Sequence, residues 1–168
     1  MTEERSEQVD FAGPYLYANI VCLTLSDSPY ADAQGISDLS GGTCTAQSAT
    51  NWYDTMLPQI PDANILPASE SAPAMLMALE TRQVDFICTD MPTAQGAVAV
   101  YPDMVILDFS GSDDNFDVSD EEINIGVSVM KGNTVLLDAI NAVLAPLTAD
   151  DFNATMAQAV AIQPISEG

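Results

Sequence analysis

Apolar runs with the texture of buried strands alternate along this chain with stretches that open on helix-start signals. That alternation restricts the fold more than any other feature. Asn19 to Leu25 is a continuous apolar run suited to a strand covered on both faces. After a turn-rich stretch from Ser26 to Gly35 and a short turn over Ile36–Gly42, Thr43–Ala46 reads as the next strand. Residues 48–57 read as a helix, with Ser48 and Thr50 as cap candidates and Pro58 and Pro61 ending it. Asn64–Pro67 is a short strand. Ser71 caps a helix that carries Pro73 in its first turn and buries Met75, Leu76 and Leu79, with Arg82 at its C-terminal end. The strand Val84–Cys88 stops at Thr89-Asp90, a helix covers roughly Pro92–Val100, and Met104–Phe109 is a strand.

Ser110–Glu122 carries six acids and reads as a solvated surface linker; it lacks the alternating acids and central glycine of a calcium loop. Ile123–Met130 is a strand, and helices near 134–147 and 149–160 follow, the second capped by Thr148. The expected fold is therefore an α/β domain with a mostly parallel sheet.

Composition narrows the function. Twenty-five acids against Arg5, Arg82 and Lys131 give a net charge of -22, a surface that repels nucleic-acid phosphates and anionic lipid. With so few cations, an anionic ligand group has few partners to choose from. The absence of histidine removes Ser-His-Asp and Cys-His catalysis and every histidine-based metal site. Cys22, Cys44 and Cys88 each lie in a strand-like run at spacings that match no zinc or disulfide framework, so they read as buried thiols, with a Cys44–Cys88 contact open between neighbouring strands. Hydrophobic residues make up 48% of the chain, ample for a core, and no apolar run is long enough to cross a bilayer.

Ligands of open α/β sheets bind beyond the C-terminal ends of strands. Two such ends are polar here. The first runs into Gln47-Ser48-Ala49-Thr50-Asn51, where helix-opening N–H groups and hydroxyls suit a carboxylate, or where the hydroxyls simply cap. The second ends on Thr89 and Asp90; the Asp90 carboxylate suits an ammonium, or caps the next helix. Asp85, earlier in that strand, reads as structural, turned toward a helix end or solvent. Arg5 can grip a carboxylate bidentately, or pair with Glu3, Glu4 or Glu7. Together, a cation and an anion in this arrangement match an α-amino acid zwitterion.

Several passages carry a resemblance: Thr2-Glu3-Glu4-Arg5 with Val9 to Tyr15, Ile36 to Gly41, Ala46 to Thr50, Leu79 with Val84-Asp85 and Asp90, and Ile125 to Asn133 with Leu137 to Asn141. In that order they resemble the extracellular solute-binding proteins of polar amino-acid ABC transporters, a type II periplasmic binding fold. The resemblance implies that residues 1–15 are the end of lobe I and a first hinge. It makes residues 16–118 lobe II, with a five-stranded sheet, and 119–168 a second hinge and a C-terminal segment of lobe I, the N-terminal half of that lobe being absent. It implies that Arg5 clamps the ligand α-carboxylate with the 47–51 loop, that Asp90 holds the α-ammonium, and that Gln47 and Thr89 tune ligand choice. Ala49 departs from the family's usual glycine.

The implied function is an amino acid bound between two lobes and delivered to a membrane permease, without catalysis, metal or cofactor. The implied location is extracytoplasmic, with any signal upstream of Thr2, and exposed lobe I surface allows a homodimer. A sensor domain of a receptor or kinase, and a dehydratase-type enzyme with Asp90 as acid or base, are the alternatives.

Overall fold

A computed structural model of the chain describes residues 1–162. They form two compact units. One is Met1–Ala18 together with residues 118–162; the other is Asn19–Asp117.

The second unit is built on a five-stranded sheet. Its strands are β2 (Ile20–Leu25), β3 (Thr43–Ala46), β4 (Asn64–Ile65), β5 (Phe86–Asp90) and β6 (Met104–Leu107), in the order β4-β3-β5-β2-β6. β3 pairs parallel with β4 and β5, whereas β2 runs antiparallel to both β5 and β6. Four strands thus share a direction and β2 is reversed, which makes the sheet mixed. The reason lies in the connection that follows: between β2 and β3 the chain makes turns and a short 3-10 turn (Ile36–Leu39) but no crossover helix, so β3 starts from the end where β2 finishes and runs the other way.

Two helices cover one face. In α2 (Ala72–Glu80), the Ser71 hydroxyl accepts from the Ala74 amide at 3.3 Å and Pro73 occupies the first turn. Met75 and Leu79, one turn apart, are both buried. α3 (Met91–Val100) presents Ala94 and Ala97 to the same core, which Val21, Leu23 and Ile87 supply from the sheet. Alternation along the strands sends the other set of side chains to the opposite face. There the Phe86 ring meets Tyr30 edge-on at 5.6 Å. Gly42 is needed for that contact, since a Cβ would lie 2.5 Å from the Phe86 ring.

The expected helix over 48–57 is instead a π-helical turn, Trp52–Met56, followed by a 3-10 turn, Leu57–Gln59. Pro58 has no N–H to give and its ring crowds the carbonyl four residues back, so a regular α-helix cannot run through it. The acidic stretch is not simply solvated. Asp114 accepts from the Ser37 amide at 3.0 Å and the Ser37 hydroxyl at 3.1 Å, and Phe109 and Phe116 are buried. Asp85 turns to neither a helix end nor solvent: its carboxylate accepts from the Thr43 amide at 2.8 Å, closing the start of β3 onto β5. Arg82 lies past the end of α2 in the left-handed region (φ 59°) and ion-pairs with Asp27 at 2.7 Å. The direct cross-strand partner of Cys88 is Cys22; Cys44 stands opposite Phe86.

The first unit is thinner. α1 (Glu3–Gln8) leads into β1 (Val9–Tyr17), which pairs antiparallel with β7 (Asn124–Met130), with an irregularity between Ala12 and Leu16. α4 (Asp120–Ile123) opens on a capping box in which Ser119 and Glu122 serve each other. α5 (Thr134–Leu144) is tied to β1 where the Gly13 amide donates to the Asn141 side chain at 3.1 Å. α6 (Ala149–Ile162) starts on a reciprocal cap: the Thr148 hydroxyl accepts from the Asp151 amide, and the Asp151 carboxylate accepts from the Thr148 amide. Phe152 of α6 contacts Tyr15 of β1 at 5.4 Å between ring centres. Among the described residues, no helix is long and apolar enough to cross a membrane.

Candidate functional site

The parallel register of β3 and β5 sets Ala46 beside Cys88. Gln47 and Thr89 therefore stand at neighbouring strand ends, where parallel α/β sheets present ligand-binding loops. Gln47 bridges to Ser69, and the Ser48 amide donates to the Ser69 carbonyl at 2.8 Å, so the loop after β4 joins the same rim. That contribution, with Glu70 next to it, went unread in the sequence. The short strand 64–67 was its signal, because a strand parallel to β3 must end beside Gln47.

Thr50 holds the 47–51 loop in shape. Its hydroxyl donates to the Gln47 carbonyl at 2.6 Å and accepts from the Tyr53 amide at 3.4 Å, while its carbonyl accepts from the amides of Tyr53 and Asp54, both at 3.2 Å. Thr50 is thus a cap, as one of its two readings held. Ala49 adopts φ 58°, a left-handed conformation that costs an alanine more than a glycine. Ala49 thus holds, as an alanine, a conformation that glycine adopts without that cost. No side-chain hydrogen bond engages Gln47 or Ser48 among the described residues.

Asp90 is also a cap: its Oδ1 accepts from the Thr93 amide at 2.9 Å and starts α3. Capping uses one oxygen; the second takes no hydrogen bond among the described residues, so the two sequence readings of Asp90 are compatible. Thr89 beside it is 3% exposed. Because β2 is reversed, its first residue, Ile20, pairs with Asp90, and the Asn19 carbonyl accepts from the Met91 amide at 2.9 Å.

Six predicted residues, Gln47, Ser48, Thr50, Asn51, Thr89 and Asp90, therefore gather at one end of one sheet. Their acidic neighbours are Glu70 and, beyond β6, Asp108, which accepts from the Asn19 side-chain Nδ2 at 3.3 Å. Neither arginine nor lysine occurs in the 47–51, 69–70 or 89–90 segments. Arg82, the cation of this unit, lies toward the far end of the sheet, on an open cleft of about 510 Å³ lined also by Asp27, Glu80, Tyr101 and Asp103. Arg5 belongs to the other unit, on the exposed face of α1.

Solved structures similar to this chain include substrate-binding proteins of amino acid ABC transporters. The substrate-binding protein of an amino acid ABC transporter superposes with a TM-score of 0.73 at 26% identity, over 94% of this chain and 65% of that one. A single-residue mutant of arginine-bound ArgBP from T. maritima gives 0.70 at 28% identity, over 88% and 64%. At the level of fold alone, AbpA from Streptococcus pneumoniae, an amino acid ABC transporter substrate-binding protein bound to L-arginine, gives 0.74 at 21% identity, over 96% and 65%. The chain thus spans about two thirds of the length of each. No curated protein sequence matches it. The sequence model of the bacterial extracellular solute-binding proteins, family 3, matches residues 1–159, and the chain belongs to that family.

Proposed function

We propose that this chain binds an α-amino acid as the solute-binding part of an ABC transporter and passes it to the permease. The observation that carries the reading is the pairing at one sheet end of the 47–51 loop with an Asp90 carboxylate whose second oxygen takes no hydrogen bond among the described residues. Asp90 takes the ligand ammonium by a charge-assisted hydrogen bond. The 47–51 loop takes the carboxylate on the N–H groups that open the turn after it. Gln47 and Thr89 face the ligand side chain.

The finer reading is a cationic amino acid such as arginine. It is supported by the arginine-bound relative at 28% identity and by Glu70 and Asp90 on a rim with no lysine or arginine in its loops. An acidic side chain there meets like charge, which works against it.

Thermal shift and isothermal titration with L-arginine, L-lysine, L-glutamine and L-glutamate test this. Arginine and lysine are expected to stabilise the protein most, through binding to the folded state. Asp90→Asn keeps a capping oxygen, so the fold holds, but the ammonium loses a charged partner; affinity is expected to fall by about 1.5–3 kcal/mol, roughly ten- to a hundredfold. Binding that Asp90→Asn leaves intact, or the lack of any amino-acid response, refutes the proposal. Binding of glutamine in preference to arginine refutes the cationic reading alone.

A further inference from the structure

Cys22 and Cys88 face each other directly across β2 and β5, and both are fully buried. Cys44 lies on the next strand with Phe86 as its register partner, and Ala46 stands on the other side of Cys88. The three thiols share the sheet face that Phe86 occupies, but one pair alone is in direct opposition. We propose that Cys22 and Cys88 are an oxidisable dithiol, a disulfide site that ties β2 to β5 two residues before Asp90.

Backbone geometry supports the pairing. Opposed residues of an antiparallel pair have Cα atoms about 4.5–5.5 Å apart, inside the roughly 4.4–6.8 Å span of disulfides. Their Cβ atoms, about 4.5–5.5 Å apart, need to draw in by no more than about 1 Å. Cys44 has no such opposition to either partner. Both thiols are free and buried, so they face each other across the two strands with no solvent between them.

The chemistry is thiol–disulfide exchange with a small disulfide such as oxidised glutathione. The thiolate of one cysteine attacks a glutathione sulfur and expels one glutathione thiolate. The second cysteine then attacks the mixed disulfide and expels the other glutathione. Two S–H bonds and the glutathione S–S bond are lost, one protein S–S bond forms, and the two electrons and two protons pass to oxidised glutathione, which becomes two glutathione thiols. Burial pushes the Cys88 thiol well above its ordinary range, and Cys44 up to about 12, so attack by the folded protein is slow and the bond closes as the strands come together during folding. A family of extracellular proteins folds where such oxidants are present. The proposal does not depend on what ligand the rim takes.

The test is thiol counting. The reduced full chain is refolded from urea in a reduced–oxidised glutathione buffer, alkylated under denaturing conditions and mapped by peptide mass. One alkylated thiol, Cys44, and a linked pair of peptides containing Cys22 and Cys88 are expected. A second measurement avoids refolding: Cys44→Ala is produced by secretion into an oxidising compartment and alkylated directly, with loss of both remaining thiols expected. Three alkylated thiols in the refolded chain, two in Cys44→Ala, or a link that includes Cys44 overturns the proposal.

Discussion

The two units make opposite use of their apolar residues. In Asn19–Asp117 the large side chains Leu23, Leu79, Phe86, Ile87 and Phe109 are fully or almost fully buried. In the other unit the buried apolar residues among those described are Ala12, Ala18 and Val129. Its most amphipathic helix, α5, buries none, and Val135 is 82% and Val143 66% exposed. That unit relies on polar fastenings instead: Lys131 bridges Asp10 at 2.8 Å and the Ser6 carbonyl at 2.6 Å, Asn141 holds Gly13, and paired caps start α4 and α6. Apolar burial stabilises roughly in proportion to the area removed from water, whereas exposed polar pairs contribute little. Stability therefore resides in the unit that carries the Asp90 rim.

The contrast can be broken most directly at Phe86. Phe86→Ala is expected to destabilise by about 3–5 kcal/mol in urea unfolding, whereas Val143→Ala stays within about 0.5 kcal/mol. Equal losses at the two positions refute the unequal distribution. Next is Asp85→Ala, which strips the Thr43 amide of its acceptor at a strand start and is expected to cost about 1–3 kcal/mol in the same assay. Ala49→Gly relieves a left-handed alanine and should raise stability by about 1 kcal/mol; a loss there shows that the turn is held for its methyl group.

The smallest effect is in acid. The Lys131 side chain and the Gly132 amide hold Asp10 below its ordinary carboxylate range. A depressed pKa contributes stability above the unfolded value of 3.8, lost as pH falls through the lower folded value. Asp10→Asn should flatten that part of the pH dependence slightly, read as the urea midpoint between pH 5 and pH 2.

The α/β order and most of the elements were legible because their signals are local: Ser71 before Pro73, Thr148 before Asp150 and Asp151, and apolar runs that stop on Asp90 or Ala46. The direction of β2 was not, because its pairing partners lie more than sixty residues away in the chain and no crossover helix announces it. The anchoring of Asp114 to Ser37 was hidden for the same reason; a run of acids looks solvated until a distant amide is placed against it. Of the site, the rim could be read from strand ends alone. The loop after β4 escaped although the strand itself was read, because the parallel pairing that sets its end beside Gln47 joins segments some twenty residues apart.

The reversal of β2 has a mechanical consequence. Ala18 and Asn19 are consecutive, yet the Ala18 amide is fastened to the Ile123 carbonyl in one unit and the Asn19 carbonyl to the Met91 amide in the other. Each side of the Ala18–Asn19 peptide is thus anchored within its own unit, and the start of β2 is pinned to the first residue of α3, next to the Asp90 cap.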